Sequence, residues 1–287
     1  MENKVTNKFV IIEDTKKVNK IKQILMEAYE FEERENPNCI WFLKGKNCSV
    51  FYYKNKKLFF QGKEAEYLFN LVEIDNYITI NNKKYKLPIC GTDEAGKGDY
   101  FGPLVTAAVA VTDENIKLLS NLNLQDSKKI DRDKLRKLAF EIKKIAPTTL
   151  IVLNNAKYNE VYKKYRNMNK ILSYSHYLAI VNLFKKIKFK TIIVDKFGKE
   201  EYLNWLLRNY QYEIIQETEG ERYLPVAAAS IVAKDKYLYE LNTMSIKYDF
   251  DFKPGSTPDV KELVKKFKEE HSETEVNEVL KLNFKVG

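Results

Sequence analysis

The spacing of apolar residues changes partway along this chain, and the change marks two regions. After Thr15, a residue type that caps helices, Val18, Ile21, Ile24, Leu25, Ala28 and Phe31 recur at helical spacing. Three short strand-like runs follow at 40–43, 48–53 and 58–61. Between them lie Lys44-Gly45-Lys46-Asn47 and Lys54-Asn55-Lys56, which have hairpin-turn chemistry. A second helix is expected over about 63–72. From Leu87 the pattern becomes α/β, with strands at 87–90, 103–112 and 149–153 and a long helix over 168–186. A β-branched strand at 191–194, a helix at 200–209, a strand at 212–218 and a helix at 225–241 complete the alternation. Pro254, Gly255 and Pro258 mark a loop before a C-terminal helix. The division falls near 75–87: a small α+β domain over 1–80, then an α/β domain over 87–287 whose sheet is covered by helices.

Composition adds a partner class. The 287 residues carry a formal net charge of +9, which points to a polyanion but says nothing of fold. Residues 36–63 hold six lysines and no acid, with Phe42, Phe51, Tyr52, Tyr53, Phe59 and Phe60 interleaved. Strand side chains alternate faces, so one side of this meander can present aromatics and lysines while the other packs on helices. Cys39, Cys48 and Cys90 have no metal-binding spacing and are odd in number, which suits a reducing cytoplasm. The N-terminus lacks an apolar signal segment and no run reaches membrane-span length, so the expectation is a soluble, cytoplasmic protein with no membrane partner.

The chemistry concentrates in residues 91–104. Asp93 and Glu94 follow the apolar run Leu87-Pro88-Ile89-Cys90 and precede the glycine-spaced turn Gly96-Lys97-Gly98. Acids delivered to a strand end can hold magnesium, which takes oxygen ligands from one or two carboxylates and leaves positions for substrate phosphate. Glycines there let another backbone come close. An Asp-Glu pair standing alone is ordinary loop composition. Asp195 ends the apolar strand Ile192-Ile193-Val194 and can meet the pair from a neighbouring strand. Three carboxylates so placed would repel, and at least one pKa should rise without a cation.

The string Asp93-Glu94-Ala95-Gly96-Lys97-Gly98-Asp99-Tyr100-Phe101-Gly102-Pro103 resembles the first motif of the type 2 ribonucleases H, and its second half resembles the ribonuclease HIII branch. Gln125-Asp126-Ser127-Lys128-Lys129, Ile192-Ile193-Val194-Asp195-Lys196-Phe197 and Ala227-Ala228-Ala229-Ser230-Ile231-Val232-Ala233-Lys234 follow in the family's order. The resemblance spans roughly residues 87 to 285. It implies a ribonuclease H-like mixed sheet flanked by helices, and an N-terminal domain similar to half of the TATA-binding protein saddle. The implied reaction is internal hydrolysis of the RNA strand of RNA–DNA hybrids with Mg2+ or Mn2+, leaving 5′-phosphate and 3′-hydroxyl ends, by a monomer.

The resemblance also implies roles. Asp93, Glu94 and Asp195 would be catalytic and hold the metal. The HIII pattern places a fourth acid four residues after the third, where this chain has Lys199. Glu200, in the first turn of a helix, is the leading substitute. In the HII branch the corresponding position falls on Leu238, and Asp235, roughly on the same helical face, is the alternative. Loss of that acid leaves open a second reading, a hybrid-binding protein without turnover. Gly96, Lys97 and Gly98 are expected to test the RNA 2′-hydroxyl. Ser127, Lys128 and Ser230 are expected near the substrate backbone, although Ser127 could equally cap a helix. In the N-terminal domain, Lys44, Lys46, Tyr53, Lys56 and Phe60 are the expected hybrid contacts. His176 and His271 are expected to be structural.

Overall fold

The computed structural model describes residues 6–12, 15–73, 77–81, 83–124 and 130–284, and the chain separates into two compact units, residues 1–75 and 76–287. The paired strands at 77–80 and 83–86 belong to the second unit.

The N-terminal unit comprises β1 (Thr6–Ile11), α1 (Thr15–Ala28), β2 (Glu32–Arg34), β3 (Cys39–Lys44), β4 (Cys48–Tyr53), β5 (Lys57–Gly62) and α2 (Ala65–Glu73). Its described strands pair antiparallel in the order β1-β5-β4-β3-β2, so the expected three-stranded meander is extended by a strand at each side. One face packs Trp41, Leu43, Val50, Tyr52, Leu58 and Phe60 against Val18, Ile21 and Leu25 of α1 and Leu68 of α2. The β2 strand is charged and exposed, a composition that discourages further pairing at the edge.

The second unit begins with the hairpin β6 (Tyr77–Ile80) and β7 (Lys83–Lys86), followed by β8 (Ile89–Ala95), β9 (Leu104–Val111), α3 (Ile116–Ser120), α4 (Arg132–Ile145), β10 (Thr148–Leu153), α5 (Asn155–Tyr165), α6 (Met168–Lys186) and β11 (Thr191–Asp195). Then come α7 (Glu200–Leu207), β12 (Glu213–Glu217), α8 (Leu224–Tyr248), α9 (Pro258–Glu270) and α10 (Glu273–Val279). The main sheet has the order β10-β9-β8-β11-β12, with β8, β9 and β10 antiparallel and β11 parallel to both β8 and β12. The β9 strand is buried at every position, which is why Leu-Val-Thr-Ala-Ala-Val-Ala-Val reads as one apolar run without alternation. One core joins the sheet to α4, α8 and α9, and another joins it to α6 and α7.

The α8 helix comes unusually near β8. A Cβ placed on Gly91 would lie 2.2 Å from the Pro225 carbonyl carbon, and the Ala227–Ala229 run continues the small-residue packing. The hairpin is tied to the edge strand β12 by Asn81 Nδ2 donating to Glu217 Oε1 at 2.7 Å and by Lys83 Nζ to Glu213 Oε1 at 2.6 Å. Among the described residues no helix is long and apolar enough to cross a membrane.

Candidate active site

Two adjacent parallel strands bring the acids together. Val194 of β11 pairs with Thr92 of β8, so the next residue on each strand places Asp195 level with Asp93. Asp93 is buried, the Glu94 side chain is 6% exposed, and Asp195 is half-buried. A cavity of about 360 Å³ is lined by Asp93, Glu94, Lys97, Asp195, Glu219 and Glu221.

Each central carboxylate is held by an internal donor. Asp93 Oδ1 accepts from the Glu94 amide at 2.8 Å, and the Ser230 hydroxyl also bonds this carboxylate. Glu94 Oε2 accepts from His176 Nε2 at 3.0 Å, and its Oε1 accepts from Lys97 Nζ at 3.1 Å. The other ring nitrogen, Nδ1, is hydrogen-bonded to Thr92 Oγ1. Asp195 Oδ1 accepts from the Gly220 amide at 2.7 Å. That bond fixes the turn after β12, where Glu219 takes a left-handed conformation at φ 58°, and so carries Glu219 and Glu221 to the cavity.

The electrostatics follow from crowding. Burial, then repulsion from Glu94 and Asp195, pushes Asp93 well above the usual carboxylate range. Burial also raises Asp195, with Glu94 and Glu221 adding and the Gly220 amide opposing. For Glu94, burial acts upward, but the His176 bond and charge, joined by Lys97, hold it below its ordinary value. The oxygen-only donor set and the excess of negative charge both fit a hard divalent cation. Among the described residues, no group of three acidic, imidazole or thiol side chains stands in a ready metal-holding arrangement.

Several expectations need correction. Glu200 is exposed and paired with Lys196 at 2.7 Å, outside the cavity, because the first turn of α7 faces solvent. Asp235 is paired with Lys143 at 3.3 Å and is also outside. Glu219 and Glu221, which sequence reasoning did not single out, line the cavity instead, and the acid-rich run Glu217-Thr218-Glu219-Gly220-Glu221 was the available signal. Glu219→Gln or Glu221→Gln should lower cleavage about 10- to 100-fold, the cost typical of losing a group that supports a metal site. Glu200→Gln and Asp235→Asn should stay within about twofold in the same assay, since neither carboxylate lines the cavity. His176, expected to be structural, is fully buried and stacked 4.5 Å from Phe197, and its ring is also bonded to Glu94, a partner the sequence did not reveal. His271 packs among Phe267, Tyr248 and Phe250. Ser230 reaches Asp93, whereas Ser127 and Lys128 lie outside the described residues.

The turn between β8 and β9 contains Gly96 with φ at 82°, a conformation that favours glycine. A Cβ on Gly96 would lie 2.3 Å from the Pro103 oxygen, whereas one on Gly98 would meet nothing within 4 Å. The fold itself thus requires glycine at 96 and leaves open space at 98. Lys97 lines the cavity with its side chain 42% exposed.

In the N-terminal unit, the face away from the helices carries Phe42 stacked on Phe51 at 4.4 Å and 5°, with Tyr53 stacked on Phe51 at 5.8 Å. Lys57 Nζ sits 4.1 Å above the Phe9 ring and 5.4 Å from Phe59. Lys44 and Lys46 are exposed, Tyr53 is half-buried, and Lys56 lies in the β4–β5 turn. Phe60, expected to contact substrate, is fully buried on the opposite face with Leu58.

The strand order and the acids at the ends of β8 and β11 define a ribonuclease H-like nuclease. The profile of the family described as Ribonuclease HII matches residues 90–286, and one described as Domain of unknown function (DUF3378) matches residues 8–69. Ribonuclease HIII of Aquifex aeolicus (strain VF5) is 32% identical over 256 residues, covering 89% of this chain and 91% of its own. Ribonuclease HIII of Protochlamydia amoebophila (strain UWE25) is 30% identical over 250 residues, covering 84% and 82%. Among solved structures, Bst-RNase HIII in complex with Mn2+ superposes with a TM-score of 0.65 at 24% identity, over 98% of this chain and 96% of that one. Aquifex aeolicus RNase H3 gives 0.60 at 28% identity, over 97% and 100%. The chain belongs to the ribonuclease HIII family. It is an endoribonuclease that cleaves the RNA strand of RNA–DNA hybrids.

Proposed function

We propose that Asp93, Glu94 and Asp195 hold Mg2+ or Mn2+ for this hydrolysis, with Glu219 or Glu221 completing the set and the products ending in 5′-phosphate and 3′-hydroxyl. The observation that carries the reading is the crowding of these acids at one cavity, with Asp93 and Asp195 both raised by burial and repulsion. A cation held by these carboxylates would make a water easier to deprotonate and supply positive charge for the leaving 3′-oxygen. Mn2+ is the ion named for the bound Bst-RNase HIII structure, and oxygen-only ligation suits Mg2+ equally.

The chain's own residues perform the remaining work. The Ser230 hydroxyl and Glu94 amide orient Asp93, and the Gly220 amide orients Asp195. His176 holds Glu94 through the second oxygen of its carboxylate, restricting its rotation. Lys97 neutralises Glu94 and can turn to a phosphate as substrate arrives. The open side of Gly98 admits the RNA backbone, where turn amides and carbonyls can meet the 2′-hydroxyl. Action as a monomer in a reducing cytoplasm is part of this reading, and the three free buried cysteines suit such a compartment. Adding Mn2+ should raise the melting temperature of the wild type but not of Asp195→Asn; an equal rise in both would contradict this ligand set.

The N-terminal unit, similar in our reading to half of the TATA-binding protein saddle, adds affinity for the hybrid through its lysines and stacked aromatics. Tyr53→Ala should weaken hybrid binding by about 1–3 kcal/mol if a base or sugar stacks on that ring. Lys44→Ala with Lys46→Ala should flatten the logarithmic salt dependence by about 0.7–0.9 for each phosphate no longer neutralised. Phe60→Ala should instead lower the stability of this unit by about 3–5 kcal/mol through a core cavity. Binding titrations across salt concentration, paired with urea unfolding, separate the two kinds of effect.

A further inference from the structure

The loop that meets substrate is tied down from beneath by one residue near the C-terminus. Four consecutive carbonyls, from Asp99 to Gly102, accept hydrogen bonds from Lys281. Its amide donates to Tyr100 O at 3.0 Å, and its Nζ donates to Asp99 O at 3.0 Å, Phe101 O at 3.5 Å and Gly102 O at 2.5 Å. An ammonium has three protons, and these three carbonyls can take them all. The Lys281 side chain is almost wholly buried, with Tyr158 alongside at 5.9 Å. Nearby ties act on the same arm: Gly102 N donates to Val279 O at 3.1 Å, Leu280 bridges Phe101, and Tyr237 Oη donates to Phe101 O at 3.2 Å.

A buried ammonium is costly unless its protons are all used. Burial pushes the Lys281 pKa down to about 7, and the Asp99 carboxylate opposes that shift. An apolar residue would have filled the space at less cost, so the placement calls for a reason beyond packing. The arm it grips leads directly to the glycine turn. Gly96 abuts both the Pro103 oxygen and the Tyr237 ring, so movement of residues 99–103 is transmitted to Gly96, Lys97 and Gly98.

We infer that Lys281 is a positioning residue for substrate discrimination, holding the 99–102 arm so that the Gly96-Lys97-Gly98 backbone is set for a ribose carrying a 2′-hydroxyl. The inference rests on the reading of that turn given under Proposed function. It assigns specificity to a C-terminal side chain that does not itself touch substrate or metal.

The test uses the full-length Asp93→Asn protein, in which cleavage is suppressed, to compare binding of an RNA–DNA hybrid with binding of a DNA duplex of the same sequence. Adding Lys281→Met should reduce the preference for hybrid about tenfold, the equivalent of roughly one lost positioning interaction. In the protein with Asp93 intact, Lys281→Met should leave Mn2+ affinity within about twofold. An unchanged preference in a folded Lys281→Met protein overturns the inference, as does loss of Mn2+ binding, which would mean that the tail holds the whole site. If thermal melting shows that Lys281→Met does not fold, Tyr237→Phe decides, because it removes one tie to the same arm. A reduced preference there supports the inference and an unchanged one overturns it. No preference in the Asp93→Asn parent would defeat the glycine-turn reading itself, and this inference with it.

Discussion

Asp93→Asn and Asp195→Asn are each expected to lower hybrid cleavage about 100- to 1000-fold or more, with little loss of hybrid binding. Asn keeps the size of Asp and can retain the neighbouring hydrogen bonds, so the change isolates charge. Asp93 accepts from the Glu94 amide and Asp195 from the Gly220 amide, and an amide oxygen can still accept from both. What disappears is one negative charge in a site proposed to bind a divalent cation. Each single replacement also relieves repulsion among the remaining acids, so the metal-free variant should be no less stable than wild type. Loss of activity with stability gained or unchanged would separate a catalytic charge from a structural one. Single-turnover cleavage with thermal melts of the same preparations measures both.

Gly91→Ala is expected to be strongly damaging to the second unit. The added methyl would stand 2.2 Å from the Pro225 carbonyl carbon and 2.4 Å from the Val226 nitrogen, both backbone atoms at the start of α8. No rotamer change can relieve that overlap; either α8 or β8 must move. Overpacking of a well-filled core typically costs about 1–3 kcal/mol, and a clash with helix backbone belongs at the upper end. For a unit of this size about 3 kcal/mol corresponds to roughly 6–12 °C in melting temperature. Asp93 and Glu94 lie two and three residues further along β8, so the same displacement disturbs the acids. Gly98→Ala is the natural contrast, since its added methyl meets open space and should leave the melting temperature unchanged.

The strand-end acids were legible because each depends on local order: an apolar run, then a carboxylate, then a turn. The strands β8, β11 and β12 and the helices α6, α7 and α8 were visible for the same reason. The acid-rich run around Gly220 was visible, but that Glu219 and Glu221 reach the cavity depends on a bond between the Gly220 amide and Asp195, 25 residues away in sequence. Glu200 misled because an acid in the first turn of a helix looks purposeful, yet Lys196 sits one turn before it and pairs with it in solvent. His176 lies on a helix with buried residues around much of its circumference, so its ring read as core material; its partner Glu94 is 82 residues away in sequence. In the N-terminal unit β2 is wholly charged and gave no apolar signature, whereas the apolar run Phe9-Val10-Ile11 of β1 was an available signal. Phe60 was recoverable, since strand alternation puts it on the face of Leu58 and away from Phe59. The hold of Lys281 on the 99–102 carbonyls had no sequence signal, because a lysine near a chain end ordinarily reads as solvated.

If this acidic cavity cuts RNA only when RNA is paired with DNA, one measurement shows it most directly. It is cleavage of an RNA–DNA hybrid labelled at the 5′ end of each strand in turn, in Mg2+ and then Mn2+, beside the matching DNA duplex. Internal cuts confined to the RNA strand are expected, with fragments whose 3′ ends a polymerase can extend and no cuts with Asp93→Asn. Cuts in the DNA strand, or a folded, hybrid-bound protein that cuts neither strand in either metal, would contradict that assignment.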